Sequence, residues 1–581
     1  MEAVKQFEVI DGEAVKNERK TTVTQQNAAE AEARNIGYIL KDSGLYKIPN
    51  EDKEPPLVCA RLEVLAEARD ENKKGWSKLV EFADADGVNK RLLLPNKLQA
   101  GDGRELLEVL LDNGLRINNI KLKKKYLNDY QTSRRALIVN RTGWHKSSFI
   151  FSNSEILGES EEVIYFDGET AGDCKERGTL EEWRDNIGIY CAGNSRLILA
   201  VCVALASPLL YVTGQENGGF HLIGNSSTGK STALKVACSV YGSPEYLKTW
   251  RATDNGLEGI ASNRNDTLLI LDELREFADS GKIGGVVYML GNGAGKTRST
   301  RNGDARNSKK WRTLFLSSGE EDLADLMNKE KTAPKAGQEI RFLTIPAQAK
   351  DAKHGLFENL HDKADGKELS EYLTGTARVY YGTPARAFIN AIIKDGINNI
   401  KQQYKEFLTR SEKDYLPQNA SNQVKRAFNR FAVAAFAGEY AIANSLTGWQ
   451  KGEAVAACMQ CFNDWIDWRG GLDNQETKAI LNQVKAFFEE NDSSQFEKLG
   501  INGEQKIINM AGYKENTENG VKYYVFTTAF KKRICAGFNK REAAQVLFSA
   551  GWLDKPKAEN KKIKGESKKV YWFNSKMFES E

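Results

Sequence analysis

The chain has 581 residues, of which 40% are hydrophobic and 28% charged, with a formal net charge of +4. That length exceeds one hydrophobic core, so three or four domains are expected, and the near balance of charge excludes a globally basic nucleic-acid binder, so any such contact must come from a local patch. Eight cysteines in so long a chain do not make a disulfide framework; reduced thiols, with a polar start that carries no secretory signal, predict a cytoplasmic protein.

Residues 1–35 are rich in Glu, Lys, Gln, Thr and Ala and predict a flexible arm. From 36 to about 180 the pattern predicts an α+β domain. Leu62–Glu67, Ser77–Phe82 and Arg91–Leu94 read as strands, separated by turns at Asp70–Lys73 and Asp84–Gly87, and Gly103–Gly114 reads as a short helix stopped by glycine. Gly143-Trp144-His145 precedes a strand at Phe149–Phe151, with the histidine read as structural. Leu197–Val212 is the most apolar run, but Ser207-Pro208 breaks it and it falls short of the ~20 residues that span a bilayer. A buried helix followed by a short apolar segment is expected instead.

Residues 181–375 alternate apolar strands with helical segments, the pattern of a mainly parallel sheet covered by helices. Within them Gly219–Gly224 is a strand, Gly224-Asn-Ser-Ser-Thr228-Gly229-Lys230-Ser231 satisfies G-x4-G-K-[ST], and Thr232–Tyr241 reads as a helix. This strand–loop–helix context is what phosphate binding needs. Glycines let backbone N–H groups turn toward phosphate oxygens, and the helix start adds partial positive charge. Lys230 is expected to reach the terminal phosphates of ATP and Ser231 to ligate Mg²⁺. Forty-two residues after Lys230, the apolar run Thr267–Leu271 ends in Asp272-Glu273. Asp272 is expected to hold the Mg²⁺ through water and Glu273 to polarise the attacking water.

A second glycine stretch, Gly291–Thr297, has Leu290 where the pattern needs glycine, and Val286–Leu290 reads as a helix end, so it is not a second phosphate loop. Between the acid strand and the next strand, Thr313–Ser318, the chain carries Lys296, Arg298, Arg301, Arg306, Lys309 and Lys310 around Asn302-Gly303, a hairpin signal. This predicts a projecting basic hairpin whose cations follow DNA phosphates. Ser317 and Ser318 are alternative candidates for a sensor touching the γ-phosphate or the water. Arg341, just before the apolar Phe342–Pro346, suits an arginine finger reaching a neighbouring subunit. Arg426 and Arg430, four apart on the predicted helix Val424–Ala443, are candidates for a sensor in a helical lid or for surface ion pairing.

Residues 376–474 are strongly helical, with a second helix at Glu453–Trp468 containing Cys458-Met-Gln-Cys461, read as buried thiols rather than a zinc site. From 475 the character changes. Glu476–Glu489 reads as a helix, Lys540–Ala550 as another, Lys555–Lys569 as a lysine-rich loop and Val570–Phe573 as a strand; residues 531–570 hold twelve Lys/Arg against four Asp/Glu. That outline predicts a winged-helix-like domain over 475–581.

Several segments together resemble the phage, plasmid and island-encoded helicase family long catalogued as a domain of unknown function. They are Gly143-Trp-His145, the 224–231 loop, Thr253–Glu258, Asn292–Lys296, Ser317–Glu320, Gly337–Arg341 and Ala437-Gly-Glu439. Some members, from staphylococcal chromosome-cassette elements, resemble MCM helicases. The resemblance implies an α/β AAA+ core with a helical lid, assembled as a homo-hexamer that moves on single-stranded DNA and unwinds forks, alongside replication proteins of the same element and with no membrane. It implies Arg341 acting in trans and the basic hairpin lining a pore. Related helicases often place Asn at the first sensor, where this strand ends in serines. An initiator or loader that binds an origin without processive unwinding is the second reading, and a DNA-binding scaffold with a vestigial ATP site is the third; Lys230, Asp272 and Glu273 argue against the third.

Overall fold

The computed structural model describes residues 28–100, 102–296, 298–299, 305–306, 308–330, 336–350, 352–500, 507–518 and 520–578. The chain divides into two compact units, Met1–Cys174 and Lys175–Glu581. Most of the predicted arm, 1–27, lies outside the described residues. Its last eight positions, 28–35, are helical rather than flexible. Ala29 and Ala33, one turn apart, are fully buried, and Glu32 accepts hydrogen bonds from Tyr130 Oη at 2.7 Å and Thr132 Oγ1 at 3.0 Å. Those partners lie about a hundred residues downstream, which is why local composition did not reveal them.

The first unit is built on a five-stranded sheet in the order Val163–Phe166, Arg135–Val139, Leu62–Arg69, Ser77–Ala83, Asn89–Pro95. Helix Arg104–Asp112 falls where the glycine-bounded pattern predicts it. A further helix, Ile120–Asp129, was hidden by its run of lysines. It turns Tyr126 inward to meet Tyr38 and Tyr130 edge-on, at 5.1 and 5.4 Å between ring centres. His145 lies in a buried hairpin, with Nε2 2.8 Å from Arg141 O and Nδ1 3.3 Å from Glu71. That is a structural histidine.

In the second unit the apolar run forms α1 (Ser195–Ala206), with all twelve residues buried, and a separate short helix, Leu209–Thr213. A helix apolar on every side belongs inside a core, and each large side chain buried there contributes roughly 1.5–3 kcal/mol. Among the described residues no helix is long and apolar enough to cross a membrane. The chain then alternates β1 (Gly218–Ile223), α2 (Lys230–Tyr241), β2 (Lys248–Thr249), α3 (Asp254–Asn263), β3 (Leu269–Asp272), α4 (Ile283–Asn292), β4 (Leu314–Gly319) and β5 (Phe342–Pro346). The strands form one sheet in the order β2-β3-β4-β1-β5, every pair parallel. Continuous apolar strands such as Leu-Ile-Leu and Phe-Leu-Thr-Ile are what a sheet covered on both faces requires. Because all strands run one way, Gly224, Asp272, Gly319 and Pro346 gather at the carboxyl edge. Asn217, Thr313 and Arg341 gather at the amino edge, roughly 17 Å away along a six-residue strand.

Helices α5 (Asn422–Ala443) and α6 (Glu453–Arg469) follow and pack with α1. All eight cysteines are free and buried; Cys461 Sγ lies 3.8 Å from Ser195 O. Among the described residues no group of three or more His, Cys, Asp or Glu is arranged to hold a metal. Helix Gln475–Gln495 leads to a C-terminal sheet in the order Phe496–Lys498, Gly512–Thr517, Gly520–Phe526, Glu566–Phe573, Glu559–Ile563. The predicted lysine-rich loop is therefore largely a hairpin, with Lys561 opposite Lys568 and Ile563 opposite Glu566. Its lysines lack strand propensity, and pairing with the aromatic strand overrides it.

Candidate functional site

The loop after β1 turns through two left-handed positions, Ser227 (φ 63°) and Gly229 (φ 95°), so the chain enters α2 with its first N–H groups facing the turn. Lys230 is buried, and its Nζ donates to Gly224 O at 2.6 Å and Asn225 O at 2.7 Å. Thr228 Oγ1 donates to Asn225 O at 2.9 Å, and the loop is backed by Leu356, whose N–H donates to Thr228 O at 2.8 Å. Ser231 is exposed at the start of the helix.

β3 delivers Asp272 to the same edge. Ser318 Oγ donates to Asp272 Oδ1, and the Glu273 N–H donates to that oxygen at 3.1 Å and to Ser318 Oγ at 3.4 Å. Glu273 takes a left-handed backbone, φ 56°, and its Oε1 is buried with no hydrogen-bond partner among the described residues. Burial first, with Asp272 and Glu320 adding, raises its carboxyl above the ordinary glutamate value. Burial lowers the Lys230 ammonium, against the pull of Glu320, Glu273 and Asp272. One cation and three carboxyls thus share a field. Glu320, linked to Arg275 at 3.4 Å, is a member for which sequence reasoning assigned no role; the signal was its place just past a strand end.

The two serines face opposite ways. Ser317 lies opposite His221 in the sheet, its Oγ 3.0 Å from His221 Nδ1 and accepting from Trp250 Nε1 at 2.8 Å. His221 Nε2 is 3.1 Å from Glu321 O, so the proton belongs on Nε2 and Nδ1 accepts from Ser317. Burial pushes His221 down to about 3, leaving it neutral. Ser317 is consumed in that internal network, and Ser318 is the serine that meets the carboxylates.

Arg341, Arg426 and Arg430 stand at the other end of the sheet. Arg430 is buried; its NH1 donates to Ile340 O at 2.6 Å and NH2 to Asn217 O at 3.0 Å, and burial lowers it to about 10. Arg426 pairs with Glu216 at 2.6 Å. Although burial raises the Glu216 carboxyl, Arg426, Arg430 and Arg341 hold it below its ordinary value. Arg426 is thus in an ion pair at the surface, one of the two roles expected for these arginines. α5 meets the sheet at its amino edge, so neither Arg426 nor Arg430 is beside Lys230, and Arg430 serves to tie β1 to the approach of β5.

The basic hairpin rises from that same amino edge. Gly295 N donates to Lys309 O at 2.8 Å and Trp311 N to Gly293 O at 2.9 Å, and Ala294 bridges to Lys310. Farther out Arg298 pairs with Arg306 across two-residue strands. Arg301 and the Asn302-Gly303 turn lie outside the described residues. Lys309 and Lys310 are exposed, and Lys296 Nζ meets Asp254 at 2.6 Å. The second glycine stretch is structural: a side chain on Gly293 (φ 67°) would come 1.9 Å from Asn217 Nδ2, and one on Gly295 2.3 Å from Glu258 Oε1.

The fold has a counterpart of known structure. It is similar to the structure described as "SCCmec type IV Cch - active helicase", with a TM-score of 0.68 and 15% identity, covering 94% of this chain and 98% of that one. Residues 38–310 match the family described as a domain of unknown function, DUF927. Two structures of the NrS-1 C-terminal region match at TM-scores of 0.26 and 0.27, with 14% and 13% identity, covering 67% and 64% of this chain and 88% and 83% of those chains. No curated protein matches the chain.

Proposed function

We propose that the chain is an ATP-dependent DNA helicase of a mobile genetic element, an AAA+ motor that forms a homo-hexameric ring and translocates on single-stranded DNA. The observation that carries this reading is the convergence of Lys230, Asp272, Glu273 and Ser318 at one edge of the parallel sheet, with the cationic hairpin at the other. In it, residues 181–375 are the ATPase core, 376–474 a helical lid and 475–581 a winged-helix-like domain.

The donors at the loop fit ATP with Mg²⁺. Lys230 is held by neutral carbonyls that an anionic phosphate oxygen outcompetes. Ser231 and Asp272 offer the hard oxygens that Mg²⁺ prefers. When bound, the ion would neutralise charge on the phosphates. Gly224, Thr228 and Gly229 shape the loop, and its amides with the α2 start hold phosphate. Glu273, raised in pKa and with one oxygen unengaged, is suited to take a proton from the attacking water. Ser318 fixes Asp272 and the Glu273 backbone beside it.

Arg341 and Arg426 are too far from this chain's own loop to serve it, which favours their reaching the triphosphate of an adjacent copy. Lys296, Arg298, Arg301, Arg306, Lys309 and Lys310 then follow the phosphates of a strand in the ring's channel. The basic C-terminal hairpin favours a second reading, an origin-binding initiator or loader, which hydrolyses ATP without separating strands. The test is steady-state hydrolysis with and without single-stranded DNA. Wild-type chain hydrolyses ATP faster with DNA, and Lys230→Ala loses hydrolysis in both conditions. Undiminished turnover by Lys230→Ala would remove the loop from the reaction.

A further inference from the structure

We infer that Tyr288, on the exposed side of α4, is a positioning residue that sets the guanidinium of Arg341 before a neighbouring copy's nucleotide arrives; this rests on the proposed trans role of Arg341. The backbone of Arg341 is fixed first. Its N–H donates to Gln338 O at 3.0 Å, and its carbonyl accepts from Gly219 N at 2.9 Å. Its aliphatic stem then lies against α4 at Gly291, where an added Cβ would come within 2.6 Å of Arg341 Cδ and 2.8 Å of its Cβ. No larger residue leaves that path open. The guanidinium carbon sits 4.8 Å from the centre of the Tyr288 ring, and NH1 donates to Gly337 O at 2.7 Å.

A long arginine on a surface normally samples many rotamers. Here stem, π-face and one N–H are each engaged, and among the described residues nothing else bonds the remaining N–H groups, which are left for an anion. Tyr288 is itself 45% exposed, so its ring can be changed without opening a core. An arginine already held in its working rotamer gives up little freedom when the phosphate arrives. The three glycines of the Gly291–Gly295 stretch thus have separate tasks, and that of Gly291 is to admit this arginine.

The test uses the full chain in steady-state ATP hydrolysis with single-stranded DNA. Arg341→Ala comes first: if it turns over like wild type, the trans reading fails and Tyr288 has nothing to position. If Arg341→Ala keeps only a measurable residue of turnover, Tyr288→Ala is expected to lower kcat roughly 10- to 100-fold, as misplacement of a reacting group does, with KM for ATP within about twofold of wild type. Tyr288→Phe, which keeps the π-face, restores turnover. Tyr288→Leu, which keeps bulk alone, does not. Adding Tyr288→Ala to Arg341→Ala lowers nothing further. Wild-type kcat in Tyr288→Ala and Tyr288→Leu beside a strongly slowed Arg341→Ala overturns the inference while sparing the trans reading. So do losses that multiply in the double variant, which mark a separate structural role.

Discussion

Glu273 follows a buried strand with its carboxyl half-enclosed, one oxygen unengaged and two acids nearby. Its folded pKa lies above the unfolded value. From the ordinary glutamate range up to that folded value, the native chain therefore holds more protons than the unfolded chain, and stability falls as pH rises through the window. Glu273→Gln removes this penalty along with the base. Hydrolysis is expected to drop roughly 10²–10⁴-fold, while thermal unfolding at pH 8 occurs at a higher temperature than in wild type. That gap should close as pH falls toward about 4. A gap that stays constant with pH would mean the carboxyl is not destabilised by its surroundings. Lys230, Asp272 and Glu273 were legible because a loop flanked by strand and helix, and an apolar strand ending in acids, are local patterns. The division of labour between Ser317 and Ser318 was not. Alternation says only that they face opposite ways, and which way depends on His221 lying beside Ser317 in a neighbouring strand. The place of Arg430 was hidden for a similar reason: its partners, Asn217 O and Ile340 O, lie on segments 213 and 90 residues away.

Among the elements, the hairpin between β3 and β4 carries the cations and no member of the proposed hydrolytic site. Its root is tied to the amino edge through Asn217, whose Nδ2 donates to Trp311 O at 3.0 Å and whose Oδ1 accepts from Thr313 N at 3.2 Å. Replacing Lys309 and Lys310 with alanine is therefore expected to leave hydrolysis without DNA near wild type. Unwinding and single-strand affinity should weaken, and the slope of log affinity against log salt should shrink by up to about 0.7 for each phosphate no longer neutralised. Equal loss of basal hydrolysis and unwinding would count against a DNA-contacting hairpin. Asn302-Gly303 and the flanking charges pointed to this element from the chain alone. The helix at 28–35 was harder to place because the partners that hold it lie about a hundred residues downstream, and the strand Glu559–Ile563 because its lysines lack strand propensity until they pair with Glu566–Phe573.

Across the whole molecule, the alternation of apolar strands and helices in 181–375 was enough to predict a parallel sheet. The order β2-β3-β4-β1-β5 was beyond reach, because it is a matter of which edges pair and not of what each strand contains. That order separates the two edges: carboxylates and Lys230 at one, Arg341, Arg426 and the basic hairpin at the other. On the proposed reading a chain so divided would hold half of a hydrolytic site at each end, which is why a ring of copies is proposed instead of a monomer. The most direct measurement is strand separation of a forked DNA duplex by the full chain, with ATP and Mg²⁺ at low salt, beside Lys230→Ala. Wild-type chain should separate the strands, and the variant should bind the fork without separating it. ATP hydrolysis by wild type with neither fork binding nor strand separation would contradict the helicase assignment.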